Sequence, residues 1–276
     1  LKNKRIIIIF CVLLFVALSA VLTSVLFTVG EIEIVCASKP EYLNENLSEA
    51  SLQEGLDETY LGKNIIFLNT KGLKNQVERD FPYVKVLNIE RVFPKKVIVT
   101  VKERLEVYCF EKDGKFIYTD YECRVLRISD TKSDVYNGKA GQVIEIISKP
   151  VNLNAPKEGE ILTFIEHGAA QFLTQLFLCT TNDEVFFRNY IKSVDMTWFF
   201  VSGSVTEIKL ETGAEFKFYH TSELGEKLIL HMNKLVQNDD SSLPLINRIS
   251  SRCVFTRKPD GTIELDVDGK KYTIAN

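Results

Sequence analysis

Three histidines, His167, His220 and His231, are the side chains in this 276-residue chain best suited to acid–base work or metal binding near neutral pH. None stands in an array that would perform it. Glu166-His167 reverses the order of a zinc-binding H-E-x-x-H helix and has no second histidine four residues on. His231 falls near the apolar face of a helical pattern and reads as a boundary histidine. Ser202-Gly203-Ser204 lacks the G-x-S-x-G elbow of a nucleophilic serine, and no glycine-rich loop is present to cradle a phosphate. Asp266-Val267-Asp268-Gly269 has the opening of a calcium loop but not its closing glutamate, so it reads as a hairpin turn. The six cysteines, Cys11, Cys36, Cys109, Cys123, Cys179 and Cys253, contain no C-x-x-C and read as mostly free and buried. No catalytic residue, metal site or cofactor is expected.

The chain must therefore act through surfaces, and the element that positions them is the run from Ile6 to Val29. It holds no charge, proline or glycine. As a helix it would extend about 36 Å, enough to cross a hydrocarbon core of about 30 Å with some tilt. Lys2, Lys4 and Arg5 precede it, and Glu31 and Glu33 follow it. Basic flanks stay on the cytoplasmic side, which puts residues 1–5 inside, residues 6–29 across the membrane and the remainder outside. Ala17-Leu18-Ser19 resembles a signal-peptidase site, but the apolar run continues well past it and is too long for a cleaved signal. Leaving out Lys2, Lys4 and Arg5, 31 of the 34 basic residues remain against 37 acidic ones, or −6 outside. That balance argues against nucleic acid as a partner.

Past the anchor, Glu31–Cys36 alternates as a short strand. Ser48 is placed to cap a helix carrying Leu52, Leu56 and Tyr60 on one face, with Leu47 and Leu52 as a hydrophobic staple and Gly62 as the stop. Asn64–Asn69 is an apolar connector. Leu73, Val77 and Phe81 then mark a second helix ended by Pro82. A strand over Tyr83–Arg91 turns at Phe93-Pro94-Lys95-Lys96 into a return strand with Val97, Val99 and Val101 inward. The economical arrangement is a small sheet with two helices on one face.

These residues carry a resemblance. Val86, Arg91 and Pro94, followed by Val99, Val101, Glu103 and Arg104, resemble the POTRA signature of FtsQ/DivIB-type bacterial cell-division proteins. Gly62-Lys63-Asn64-Ile65 and Phe81-Pro82-Tyr83-Val84 fit the same pattern. Two departures stand out. Cys36-Ala37-Ser38 replaces a glycine-containing turn, and Cys123 occupies the glycine of a D-x-x-G-x-V-L motif in Asp120–Leu126.

The resulting fold class is α+β: an N-terminal transmembrane helix, a POTRA domain over residues 30–104 in the order β-α-α-β-β, and a β-rich domain with flanking helices over residues 105–276. In that second domain strands are expected at 105–111, 115–120, 123–128 and 142–147, with Asp113-Gly114 as a turn. A helix is read through Ile161, Ile165, Ala169, Phe172 and Leu176, and another through Leu224, Leu228, Met232 and Leu235. Between them Val194, Met196, Trp198 and Phe200 alternate as a strand, followed by strands at Thr206–Leu210 and Phe216–Phe218. The chain closes with a hairpin near 250–258 and 262–267 around Pro259-Asp260-Gly261. Ile263, Leu265 and Val267 face inward and Glu264, Asp266 and Asp268 outward. With a short apolar tail after it, that last strand is expected to be a sheet edge open to another chain.

The resemblance implies a non-catalytic scaffold of the division machinery at the septum. Its implied partners are FtsL and FtsB/DivIC-like coiled-coil proteins and, through them, the septal peptidoglycan synthase complex. It also implies docking beside the final hairpin, at Phe255, Arg257, Thr262, Ile263, Glu264 and Leu265, with Arg91, Pro94, Glu103 and Arg104 as the POTRA signature. A membrane-anchored envelope hydrolase or ligand sensor with a POTRA-like spacer is the alternative. The charge difference across Ile6–Val29 predicts that protease outside intact spheroplasts degrades everything but the anchor and head. Protection of the large part would reverse the orientation.

Overall fold

The computed structural model describes residues 2–37, 49–132, 135–136, 139–140, 143–148, 153–164, 168–199, 205–219, 225–237, 251–258 and 262–274. The chain divides into two compact units, Leu1–Arg104 and Leu105–Asn276. Several expectations lie outside the described residues: the Leu47-Ser48 cap, Ile165, His167, Phe200, Ser202–Ser204, His220, Leu224 and the Pro259-Asp260-Gly261 turn.

The first unit starts with α1 (Lys2–Leu26), a helix that begins before and ends before the apolar run read from sequence. Among the described residues no helix is long and apolar enough to cross a membrane. After α1 come β1 (Glu31–Cys36), α2 (Glu49–Tyr60), α3 (Thr70–Asp80), β2 (Val84–Val92) and β3 (Lys96–Glu103). The sheet order is β1-β3-β2, with β1 parallel and β2 antiparallel to the central β3. Ile32 and Ile34 of β1 and Val97, Val99 and Val101 of β3 are buried, as are Leu52, Leu56 and Tyr60 of α2 and Leu73 and Val77 of α3. The alternation of β3 and the stripes of α2 and α3 thus meet as their periods require. Gly62 takes φ +80 where α2 has ended, and Asn69 caps α3 by accepting from the Gly72 N–H at 2.9 Å.

The second unit is organised on one ten-stranded sheet, in the order β15-β14-β13-β12-β11-β10-β9-β4-β5-β6. Its strands are β4 (Tyr108–Lys112), β5 (Lys115–Thr119), β6 (Val125–Ser129), β9 (Ile144–Ile147), β10 (Ile191–Trp198), β11 (Val205–Leu210), β12 (Glu215–Tyr219), β13 (Arg252–Arg257), β14 (Ile263–Val267) and β15 (Lys270–Ile274). Among the described residues β7 (Val135–Tyr136) and β8 (Lys139–Ala140) pair only with each other. Three antiparallel meanders, β4–β6, β10–β12 and β13–β15, are joined through parallel pairings of β4 with β9, β9 with β10 and β12 with β13. The chain returns from β9 to β10 through α4 (Ala169–Thr180) and α5 (Glu184–Tyr190) and from β12 to β13 through α6 (Gly225–Gln237), the long crossovers that parallel pairing demands, while β4 reaches β9 by way of β5–β8. Phe172, Leu173, Leu176 and Phe177 of α4 share one core with Leu228, Met232 and Leu235 of α6 and with Phe216, Phe218 and Phe255 of the sheet.

Three expectations are corrected, and one helix is added. The first helix of this unit starts at Ala169, after Gly168 at φ +103. Ile161 lies before it, exposed, in an isolated bridge with Arg124. Trp198 is exposed because the β10–β11 register shifts between Asp195 and Trp198, turning the side chain outward. Helix α5 was not anticipated, although Asp183 caps it by accepting from the Val185 and Phe186 N–H groups. Most consequential, the short tail is a strand: β15 pairs along all of β14, so β14 is not the sheet edge.

Asp120 and Cys123 form the turn in which sequence showed a departure. The Asp120 carboxylate accepts from the N–H groups of Glu122 and Arg124 at 2.9 and 2.8 Å, and Cys123 takes φ +60, the left-handed geometry that a glycine would hold without strain. Its thiol is wholly buried, and burial pushes its pKa well up, so it stays protonated. In the first unit, Val99→Asp would put a carboxylate at a fully buried position of the central strand. The expected loss is several kcal/mol, comparable with the whole stability of such a domain, and a melt of the unit reads it. An unchanged midpoint would contradict the inward placement of Val99.

Candidate partner-binding site

Of the four signature residues of the first unit, Arg91 and Arg104 tie its elements together. Arg104 is 2% exposed, and its guanidinium lies 3.2 Å from the Glu78 carboxylate, itself buried on α3. The same guanidinium donates to the Val84 carbonyl, while Glu78 accepts from the Val86 N–H at 3.0 Å. One ion pair therefore clamps α3, the start of β2 and the end of β3. Arg91 donates to the carbonyls of Ile66 and Leu68, at 3.3 and 2.6 Å, and so pins the connector between the helices. Pro94 sits in the β2–β3 turn, and Glu103 ends β3 opposite Val84. Arg104 is thus buried in the domain although it follows directly on a charged strand end. Sequence missed Glu78 because an ion-pair partner so far along the chain leaves no local pattern.

At the last hairpin, the structure separates the six residues read as a binding site. Phe255, Ile263 and Leu265 are core residues, with the Phe255 ring 5.3 Å from that of Phe218. No partner reaches these side chains in the folded protein. Arg257 is exposed, Thr262 is half-buried, and Glu264 is held by Lys258 and Lys271 at 2.8 and 2.9 Å. Hydrogen bonds from Lys258 and Lys271 hold the Glu264 carboxyl below its ordinary range. Asp268 and Gly269, at φ +51 and +86, make the two-residue turn into β15. The Asp266 carboxylate accepts from the Gly269 N–H and that of Asp268 from the Arg252 N–H, so these carboxylates serve the turn.

The two sheet edges differ. Along β6, the Val125 N–H donates to the Glu160 carbonyl, the Val125 carbonyl accepts from the Gly159 N–H, and the Ile128 N–H donates to the Glu158 carboxylate. That edge is closed by its own chain. Beyond β15, no strand pairs among the described residues. A two-residue hairpin makes its flanking pair, Val267 and Lys270, the hydrogen-bonded one. Tyr272 and Ile274 then bond inward to β14, and the N–H and C=O groups of Lys271 and Thr273 point out of the sheet. Among the described residues the open edge is β15, one strand beyond the one expected. Its sequence signal was the Asp-Gly turn followed by alternating Tyr272 and Ile274. Among the described residues no group of three His, Cys, Asp or Glu side chains forms a metal site.

Residues 43–104 match the family "POTRA domain, FtsQ-type". The β-α-α-β-β unit that Arg104 and Glu78 clamp is therefore a POTRA domain of the FtsQ class, in a chain of mixed α/β structure with one large sheet. The chain is also 34% identical over 93 residues to "Cell division protein DivIB" of Clostridium tetani (strain Massachusetts / E88), a match covering 34% of this chain and 34% of that relative. The match thus spans about a third of the curated relative's length. Together the two likenesses support the FtsQ/DivIB-type family that the signature residues indicated.

Removing the cation of the clamp alone should be severe. Arg104→Ala leaves the buried Glu78 carboxylate with the distant Lys74 ammonium at 3.9 Å and the Val86 N–H, at a cost of roughly 3 kcal/mol. Replacing both partners by apolar residues, Glu78→Leu with Arg104→Met, should recover much of that loss in a urea titration. A silent Arg104→Ala would show that the pair does not clamp the domain.

Proposed function

We propose that this protein is a non-catalytic scaffold of bacterial cell division, held in the cytoplasmic membrane by α1 with its N-terminus inside and residues 30–276 outside. The likeness to DivIB and the FtsQ-type POTRA domain support the setting. The charge pattern around Ile6–Val29 supports the anchor and its orientation. The observation that carries the binding role is the contrast between sheet edges, one covered by residues 158–160 and the other ending on β15.

The partner on this reading is a short FtsL- or FtsB/DivIC-like protein whose extended segment adds a strand to β15, bonding the outward N–H and C=O groups of Lys271 and Thr273. Strand addition draws affinity from the backbone and specificity from side chains at alternate positions. Lys270 is exposed at the start of the edge and favours a strand with acidic residues opposite it. Arg257, Thr262 and Glu264 lie toward the other end of β15, near Thr273 and Ile274, as side-chain contacts, and Phe255, Ile263 and Leu265 support the edge from the core. Occupation of the edge would couple the scaffold to the septal peptidoglycan synthase complex.

Proline distinguishes the two sides of β15, because it removes a single donor. Thr273→Pro takes away an outward N–H and should leave the melt nearly unchanged while abolishing co-purification of the coiled-coil partner. Tyr272→Pro removes an inward N–H and should loosen the hairpin itself. Full partner recovery with folded Thr273→Pro would move the site away from β15.

A further inference from the structure

Helix α1 does not run into a tether. The Phe27 carbonyl accepts from the Ile65 N–H at 2.7 Å, the Val29 N–H donates to the Lys63 carbonyl at 2.7 Å, and the Gly62 N–H donates to the Val29 carbonyl at 2.8 Å. Thr28 forms a bridge with Asn64, and the Gly30 N–H donates to the Lys95 carbonyl at 2.8 Å. The residues leaving the helix are thereby built into two loops of the POTRA domain, the connector at 61–69 and the β2–β3 turn at 93–95.

Those two loops carry an unusual set of side chains. In the connector Ile65 and Leu68 turn into the core, but Ile66 is exposed and Phe67 is 83% exposed. In the turn, Phe93 packs edge-on against Phe27, with centroids 6.0 Å apart, and is still 56% exposed. Leu61 and Val92 extend the apolar surface, and Lys63 and Lys95 stand exposed among them. Phe67 lies two residues beyond the N–H that bonds Phe27, at most about 7 Å of chain from the helix exit.

We propose that this face is a membrane-interface site: Ile66, Phe67, Leu61 and Phe93 enter the headgroup region around α1, and Lys63 and Lys95 meet lipid phosphates. The inference rests on the reading of α1 as an anchor. The occupant is lipid because an apolar helix opens onto the patch through fixed backbone hydrogen bonds, so the bilayer surface is the first thing beside it. Aromatic rings with basic residues around them are the composition that settles at such an interface. The domain would then lie against the bilayer in one orientation instead of swinging about its exit.

The test uses the full chain in vesicles of phosphatidylethanolamine and phosphatidylglycerol. Trp198 is the single tryptophan, so Trp198→Phe gives a dark background. Phe67→Trp in that background should emit to the blue of its detergent spectrum and be quenched by lipids brominated near the carbonyl end of the acyl chain. Phe93→Trp serves as a second reporter in case the first perturbs the connector. Phe15→Trp, inside α1, reports the anchor through lipids brominated deep in the chain. Quenching of Phe15→Trp with water-like, unquenched emission from both loop reporters overturns the inference and leaves the anchor standing. Absence of quenching at all three overturns both.

Discussion

The pairing of Glu78 with Arg104 is the constraint on which the POTRA domain depends. Two charges with almost no access to water are stable only while they face each other with their remaining hydrogen bonds met. Here a backbone N–H of β2 meets one end and a backbone carbonyl of β2 the other. The pair therefore fixes more than a contact between side chains. It sets where α3 lies against the sheet and how β3 ends, and Arg104 is also the last residue of its unit. A motif that looks like a charged strand end is, physically, the joint at which the domain closes.

Much of this was legible in the sequence because it is periodic. Val97, Val99 and Val101 announced the central strand, and Leu52, Leu56 and Tyr60 announced a helix face. Asp113-Gly114 announced a hairpin whose two residues do take positive φ. What stayed hidden depends on partners distant in sequence. Nothing near Arg104 says that a glutamate of α3 will meet it. Nothing near Trp198 says that a bulge will turn it outward. The last strand was obscured by its own chemistry, since Lys270 and Lys271 interrupt the apolar rhythm and made β15 look like a tail. That single missing strand shifted the candidate edge by one place in the sheet, while Ile263 and Leu265 lie in the core as their inward alternation required.

The second unit shows how a large sheet handles its edges. Unpaired backbone groups invite another chain, and proteins usually deny them one. On β6 the denial is made by the loop at 158–160, reinforced by Arg124 donating to the Gly159 carbonyl at 2.6 Å. On β15 the protection consists of charge, with Lys270 exposed and Lys271 held by Glu264. Charge repels indiscriminate strands and admits a complementary one, which a covering loop does not.

The division of the ten-stranded sheet into meanders also bears on the order in which it can assemble. Each meander closes through short connections, so its contacts are local and lose little chain entropy on forming. The parallel joints of β9 with β10 and β12 with β13 enclose whole helices and must wait for far-apart segments to meet. The slow part of folding therefore lies in the seams between meanders, and the β13–β15 hairpins form as a local module that the rest of the sheet must capture.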